Sequence, residues 1–173
     1  KLTNDWADDL VRIAQSQLGC GESERNYIVA DDEETRNGIT RYGQWYGNPY
    51  GDWANMFTSF CLRYAGVSED LLNSGAEIML SRFEGKELYR DADSFLPIAG
   101  DVVFLDKDEN GTADTTALVV SLKSGVLTVV EGDVENKVAE VQYSASDALV
   151  IGYGITSPES RVMTYAEEGE EVT

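Results

Sequence analysis

The run Ala117-Leu118-Val119-Val120-Ser121-Leu122-Lys123-Ser124-Gly125-Val126-Leu127-Thr128-Val129-Val130-Glu131 decides the fold class. Two apolar, β-branched segments flank Lys123-Ser124-Gly125, and a short polar break ending in glycine between such segments signals a hairpin. Outward from it, Asp101–Leu105 precedes as a further β-rich run, and Val138–Tyr143 and Val150–Tyr153 follow. Upstream the period changes. Residues 5–18 carry Trp6, Leu10, Ile13, Ala14 and Leu18 at helical spacing, with Asn4 as the expected cap and Gly19 as the stop. Residues 53–65 put Met56, Phe57, Phe60, Cys61 and Tyr64 on one helical face, ended by Gly66. Residues 69–90 hold further helix around Leu71, Leu72, Ile78, Met79 and Phe83. Residues 20–50, rich in Gly, Asn, Asp and Tyr, read as a long ordered loop, because Tyr27, Tyr42, Trp45, Tyr46 and Tyr50 do not suit a disordered one. Helices first and consecutive short strands after predict an α+β domain, with N-terminal helices packed on a small antiparallel sheet.

The expected domain covers residues 1–155. From Thr156 the chain is polar and acidic, closing on Glu167-Glu168-Gly169-Glu170-Glu171, and reads as a frayed tail or a linker to a further domain. With 173 residues, 42% of them hydrophobic, the chain can bury one ordinary core. No apolar run approaches the roughly 20 residues that span a bilayer. The formal charge of −19, from 32 acidic and 13 basic residues, argues against nucleic acid and anionic lipid as partners. It serves solubility, and it would also suit a cation or a cationic partner. Cys20 and Cys61 either pair or are two small buried residues.

Several separate motifs, in order, resemble one family. They begin at Ala14-Gln15-Ser16-Gln17-Leu18-Gly19 with Glu22 and Asn26, and continue through Tyr42-Gly43-Gln44-Trp45-Tyr46-Gly47 and Pro49-Tyr50-Gly51-Asp52-Trp53. They run on through Pro97-Ile98-Ala99-Gly100-Asp101-Val102-Val103-Phe104 and Asp106-Lys107-Asp108-Glu109-Asn110-Gly111-Thr112-Ala113-Asp114, and close with Val130-Glu131-Gly132-Asp133 and Ile151-Gly152-Tyr153-Gly154. Across about residues 8–155 the chain resembles the CHAP domains, the cysteine- and histidine-dependent amidohydrolases/peptidases, which are papain-like cell-wall hydrolases. The resemblance implies a papain-like α+β fold and placement outside the cell or on a bacterial surface. It puts the nucleophile position at Ala54, the base at Thr115, the orienting carboxylate at Glu131 and an assisting amide at Asp133.

Two of those roles are empty. A helix start lowers a thiol pKa, and an imidazole completes the thiolate and later protonates the leaving amine. Alanine has no nucleophile, and threonine no group that titrates near neutral pH. The sequence contains no histidine. The chain therefore reads as a pseudoenzyme. An inactivating replacement of a native cysteine would explain Ala54 but hardly Thr115, since one change suffices. A substitute nucleophile would have to be Cys20, with no imidazole to activate it.

Two further features carry chemistry. Asp106, Asp108, Asn110 and Asp114 stand at positions 1, 3, 5 and 9 of a loop with Gly111 at position 6, as in the first part of an EF-hand calcium loop. Position 12 is Ala117, and strands rather than helices flank the loop, so a polar turn built of Asx hydrogen bonds competes with weak calcium binding. Tyr42, Trp45, Tyr46, Tyr50 and Trp53 either line a groove suited to sugar rings and peptide stems or pin the long loop to the core. No cofactor other than that calcium is expected. Three functions follow: a non-catalytic module holding peptidoglycan fragments or a peptide, with Glu131 in its cleft; a structural or protein-interaction domain; or the inactivated form of a peptidoglycan amidase or endopeptidase.

Overall fold

The computed structural model describes Thr3 and residues 5–156. It is α+β, as the alternation of periods predicts. Helix α1 (Trp6–Ser16) is followed by strands β1 (Tyr27–Val29) and β2 (Arg36–Gly38), then helices α2 (Arg41–Tyr46), α3 (Ala54–Tyr64) and α4 (Ala76–Gly85). Strands β3 (Tyr89–Asp91), β4 (Val102–Leu105), β5 (Thr115–Lys123), β6 (Val126–Val134), β7 (Lys137–Ser144) and β8 (Val150–Gly154) complete it. The last six form one antiparallel sheet in the order β3-β8-β4-β5-β6-β7.

Period-two alternation divides the sheet between two cores. Val102, Phe104, Leu118 and Val130 face the helices, where Leu10, Phe57, Leu62, Met79 and Phe83 meet them. Val103, Leu105, Ala117, Val119, Leu127 and Val129 form a second cluster on the opposite face, against Phe95, Tyr143 and Tyr153. All four residues of β4 are buried, so the sheet centre is covered on both sides. The predicted hairpin is present: Lys123 pairs with Val126, and Ser124 and Gly125 take φ of 50° and 77°, the two positive values a tight type I′ turn requires.

Several expectations are corrected. The cap of α1 is Asp5, whose Oδ1 accepts the N–H groups of Ala7 and Asp8 at 3.1 Å, while Asn4 lies outside the described residues. Residues 20–50 are not one loop but hold β1, β2 and α2. These elements are too short for a period to register. They are set by side chains instead: Asp32 Oδ1 accepts Glu34 N at 3.0 Å and Thr35 N at 2.7 Å in the β1–β2 turn, and Thr40 Oγ1 accepts Gly43 N at 2.9 Å to start α2. Residues 69–90 are broken by Asn73-Ser74-Gly75 and end in β3, not helix. Thr156 belongs to the fold, being buried with its hydroxyl donating to Gly100 O. The acidic tail from 157 onward lies outside the described residues. Cys20 and Cys61 are free thiols; Cys61 is fully buried, and burial pushes its pKa up. Among the described residues no helix is long and apolar enough to cross a membrane.

Candidate functional site

Ala54, Thr115, Glu131 and Asp133 are up to 79 positions apart in sequence, yet they line one cleft of about 600 Å³. Four pieces of chain build it: the start of α3 with Asp52, Ala54 and Asn55; the segment Ser74-Gly75-Ala76 that opens α4; Lys107, Asp108, Asp114 and Thr115 from the β4–β5 connection; and Glu131, Gly132 and Asp133 from β6. Another cleft, of about 770 Å³, lies between Phe95, Leu96 and Tyr143 on the far side of the sheet and shares none of these residues.

Asn55 fastens the cleft together. Its Oδ1 accepts both the N–H and the hydroxyl of Thr116, at 2.8 and 2.9 Å, and its Nδ2 donates to Asp114 O at 3.1 Å. The first turn of α3 is thereby tied to the first residues of β5. Thr115 heads β5, and its hydroxyl donates to Asp114 Oδ1 at 2.7 Å. Thr115 lines the cleft together with Ala54, and the only atoms its side chain offers are a hydroxyl and a methyl group.

Glu131 is 1% exposed. Its Oε1 accepts the Tyr143 hydroxyl at 2.7 Å, and Lys107 forms an ion pair with Oε2. Neither partner was anticipated from sequence. Lys107 had a signal, being the sole basic residue between Arg90 and Lys123 and standing among acidic neighbours. Tyr143 had none beyond its place on a strand. Burial, and then the hydrogen bond to Glu131, raise the Tyr143 pKa, so the phenol stays a donor.

At Asp133 the strand is bulged. Glu131 pairs with Ala139 and Val134 with Lys137, which leaves Gly132 and Asp133 between them without ladder partners. Asp133 has φ 59°, and a Cβ on Gly132 would sit 2.7 Å from Phe57 Cβ, so only glycine lets β6 lie this close to α3. The bulge turns Asp133 toward Asp52 and Glu22. Burial first, then those two carboxylates, push its pKa up to about 6.

The aromatic residues are not in this cleft. Tyr42 and Trp53 are buried in the core, stacked with ring centroids 5.3 Å apart. Trp53 Nε1 donates to Glu22 Oε1 at 3.0 Å, Glu22 Oε2 accepts Gly38 N at 3.0 Å, and the Tyr50 hydroxyl donates to Asn26 Oδ1 at 2.7 Å. Trp45 flanks Phe60 and Tyr64 on a separate surface, and the Tyr46 hydroxyl accepts Ser74 N at 3.0 Å. The groove expectation is corrected for this cleft: none of the five rings lines it, Tyr42 and Trp53 being core residues while Trp45 and Tyr46 stay exposed elsewhere. Aromatic spacing signals burial and a binding face equally well, and it does not say which ring does which.

Asp106, Asp108 and Asp114 bring carboxylate oxygens within 4.8 Å of one another. Loop hydrogen bonds already use them. Asp106 Oδ1 accepts Asn110 N at 3.0 Å and Oδ2 accepts Gly111 N at 2.9 Å, while Asp114 Oδ2 accepts Asp108 N at 2.9 Å. Asn110 Oδ1 accepts both the N–H and the hydroxyl of Thr112, at 2.9 and 2.7 Å. Against the opposing effect of burial, the N–H groups of Gly111 and Asn110 hold the Asp106 carboxyl low. These hydrogen bonds shape the turn. Three carboxylates fall short of the six to eight oxygens calcium takes, so a cation here would need water to complete its shell.

No protein-family model matches the chain, and no curated protein matches it. Among solved structures, that of Ly7917 is similar, with a TM-score of 0.52 and 14% identity over 85% of this chain and 61% of that one. This chain thus spans about three fifths of the length of the protein it matches, and at such identity the likeness bears on the fold alone.

Proposed function

We propose that the domain is a catalytically inactive, CHAP-like binding module of a secreted or surface bacterial protein, holding a peptide or peptidoglycan fragment in the cleft at the start of α3. One observation carries the reading. The four positions that the resemblance assigns to a catalytic set line a single open cleft with neither thiol nor imidazole in it. Acyl transfer needs a nucleophile with a base of suitable pKa beside it. Here the base position holds a threonine hydroxyl bonded to a carboxylate, and the retained Glu131 is occupied by Lys107 and Tyr143. Cys61 is buried in the core and Cys20 lies outside the cleft, so neither serves as a replacement. What remains is a polar pocket of a size that accepts a few residues of a ligand.

The test is an amide NMR titration with soluble peptidoglycan fragments, with product release followed in the same tube. Shifts at Ala54, Asn55, Thr115 and Gly132 without new products are expected. Cleavage would overturn the inactive assignment. An unchanged spectrum at millimolar fragment would remove the wall-binding reading and favour a protein-interaction domain.

A further inference from the structure

The charge lining the cleft narrows the class of ligand. Asp52, Asp108, Asp114 and Asp133 contribute four carboxylates, and the one ammonium present, that of Lys107, is already paired with Glu131. None of the four aspartates has a lysine or arginine within ion-pair distance among the described residues. The N-termini of α3 and α4 open on the same cleft, and neither carries a side-chain cap. Each contributes about half a positive charge at most. Two such ends offset roughly one of the four carboxylates, so the cleft stays negative. Burial first, and then the Glu22 and Asp52 carboxylates, make the charged form of Asp133 harder to hold.

The cleft also contains a worked instance of the seat it offers. Lys107 reaches in from the β4–β5 connection and sets its ammonium on a carboxylate that is 1% exposed, with the Tyr143 ring 5.9 Å from Nζ. This ammonium comes from the chain itself. A carboxylate held by a phenol, beside an aromatic face, is an arrangement that receives an alkylammonium. Among the described residues, no lysine or arginine pairs with the remaining aspartates around it.

We propose that the cleft takes a cationic peptide segment, one presenting lysine or arginine side chains or a free amine, with Asp52 and Asp133 as its principal contacts. The proposal rests on reading the cleft as a ligand site and adds the charge of the ligand. Carboxylate-bearing stretches of a ligand are repelled from the same walls, so within a mixed wall fragment the amine-bearing peptide would enter and the acidic part would stay out.

Three end-blocked tripeptides, of lysine, of glutamate and of glycine, separate the outcomes when titrated into the whole chain and followed by amide NMR. Trilysine is expected to shift Ala54, Asn55, Thr115 and Gly132, and triglutamate and triglycine to leave them in place. Asp52→Asn and Asp133→Asn should each weaken trilysine about tenfold, while Glu34→Gln, at an exposed position away from the cleft, should not. Equal response to all three peptides would overturn the charge class and leave the binding reading intact. Trilysine shifts scattered over the surface, or insensitive to Asp52→Asn and Asp133→Asn, would reduce the effect to the net charge of the protein and overturn the proposal. Silence toward all three, with peptidoglycan fragments still shifting the cleft, would also overturn it, whereas silence toward those fragments as well would bring down both readings.

Discussion

The phenol of Tyr143 donates to Glu131 Oε1 at 2.7 Å, and Lys107 closes on the carboxylate's other oxygen. A buried carboxylate needs such partners, because transfer of an unpaired charge out of water costs far more than one hydrogen bond returns. The pair accounts for a glutamate that is buried at 131.

Glu131→Ala is therefore expected to cost about 2 kcal/mol, a figure set below that of a fully buried pair because the Lys107 side chain is 39% exposed. Chemical denaturation of Glu131→Ala, Lys107→Met and the double variant gives the coupling between the two. Additive losses would show that the pair does not stabilise the fold.

Stability should be greater at pH 5 than at pH 8. Burial raises Asp101 to about 6, and burial with the Glu22 and Asp52 charges raises Asp133 to about 6. Both lie above the ordinary aspartate value of 3.8. A raised folded pKa contributes stability that is complete below the unfolded value and is lost as pH rises through the folded one. The loss thus falls between about pH 4 and 6. Asp133→Asn should flatten part of this slope and gain about 1 kcal/mol at pH 8, after discounting for the carboxyl's partial exposure. Melting temperatures measured from pH 4 to 8 decide it; a wild-type maximum near pH 8 would contradict the assignment.

Gly132→Ala places a Cβ 2.7 Å from Phe57 Cβ, an atom fixed to the backbone of α3 that has little room to move. Overpacking of this kind costs about 1–3 kcal/mol. A variant as stable as wild type would mean that β6 and α3 separate easily at the cleft.

Asn55→Ala removes the acceptor of the Thr116 N–H and one donor to Asp114 O. A loss of about 1–3 kcal/mol is expected, with faster hydrogen exchange at the Thr116 amide. Unchanged exchange would show that the start of β5 is held by the sheet alone.

Ala54→Cys puts a thiol in the first turn of α3, at a helix end that favours the thiolate. It should react with iodoacetamide far faster than the buried Cys61, yet hydrolyse nothing. Alkylation at the rate of a free thiol in water would argue that the nearby carboxylates cancel the effect of the helix end.

The α+β class was legible because Val126–Val130 and Ala117–Leu122 are long enough for a β signal and bracket a recognisable turn. The position of α3 was legible from the apolar face of Met56, Phe57 and Phe60. The gathering of Ala54, Thr115, Glu131 and Asp133 was legible only through the resemblance, since no local pattern brings residues of three separate elements together. Lys107 escaped because a lone lysine in an acidic loop reads as solvated, and its partner Glu131 lies on another strand. The aromatic segment misled because Tyr42 and Trp53 satisfy each other by stacking inside the core, which their spacing does not reveal.

The strand order leaves the sheet with two margins of unequal risk. On one side β3 is three residues long and offers little to pair with. On the other, β7 is eight residues long, and the chain at 19–22 covers only its beginning, through the Gly21–Lys137 bridge and the bonds Gly19 N to Val138 O and Val138 N to Cys20 O. Beyond Val138 no described residue pairs with the outer rim of β7, and Glu140 is the charge that deters another strand from joining. Self-association of this protein, when concentrated or partly unfolded, would therefore begin along residues 139–144, and neutralising Glu140 would hasten it.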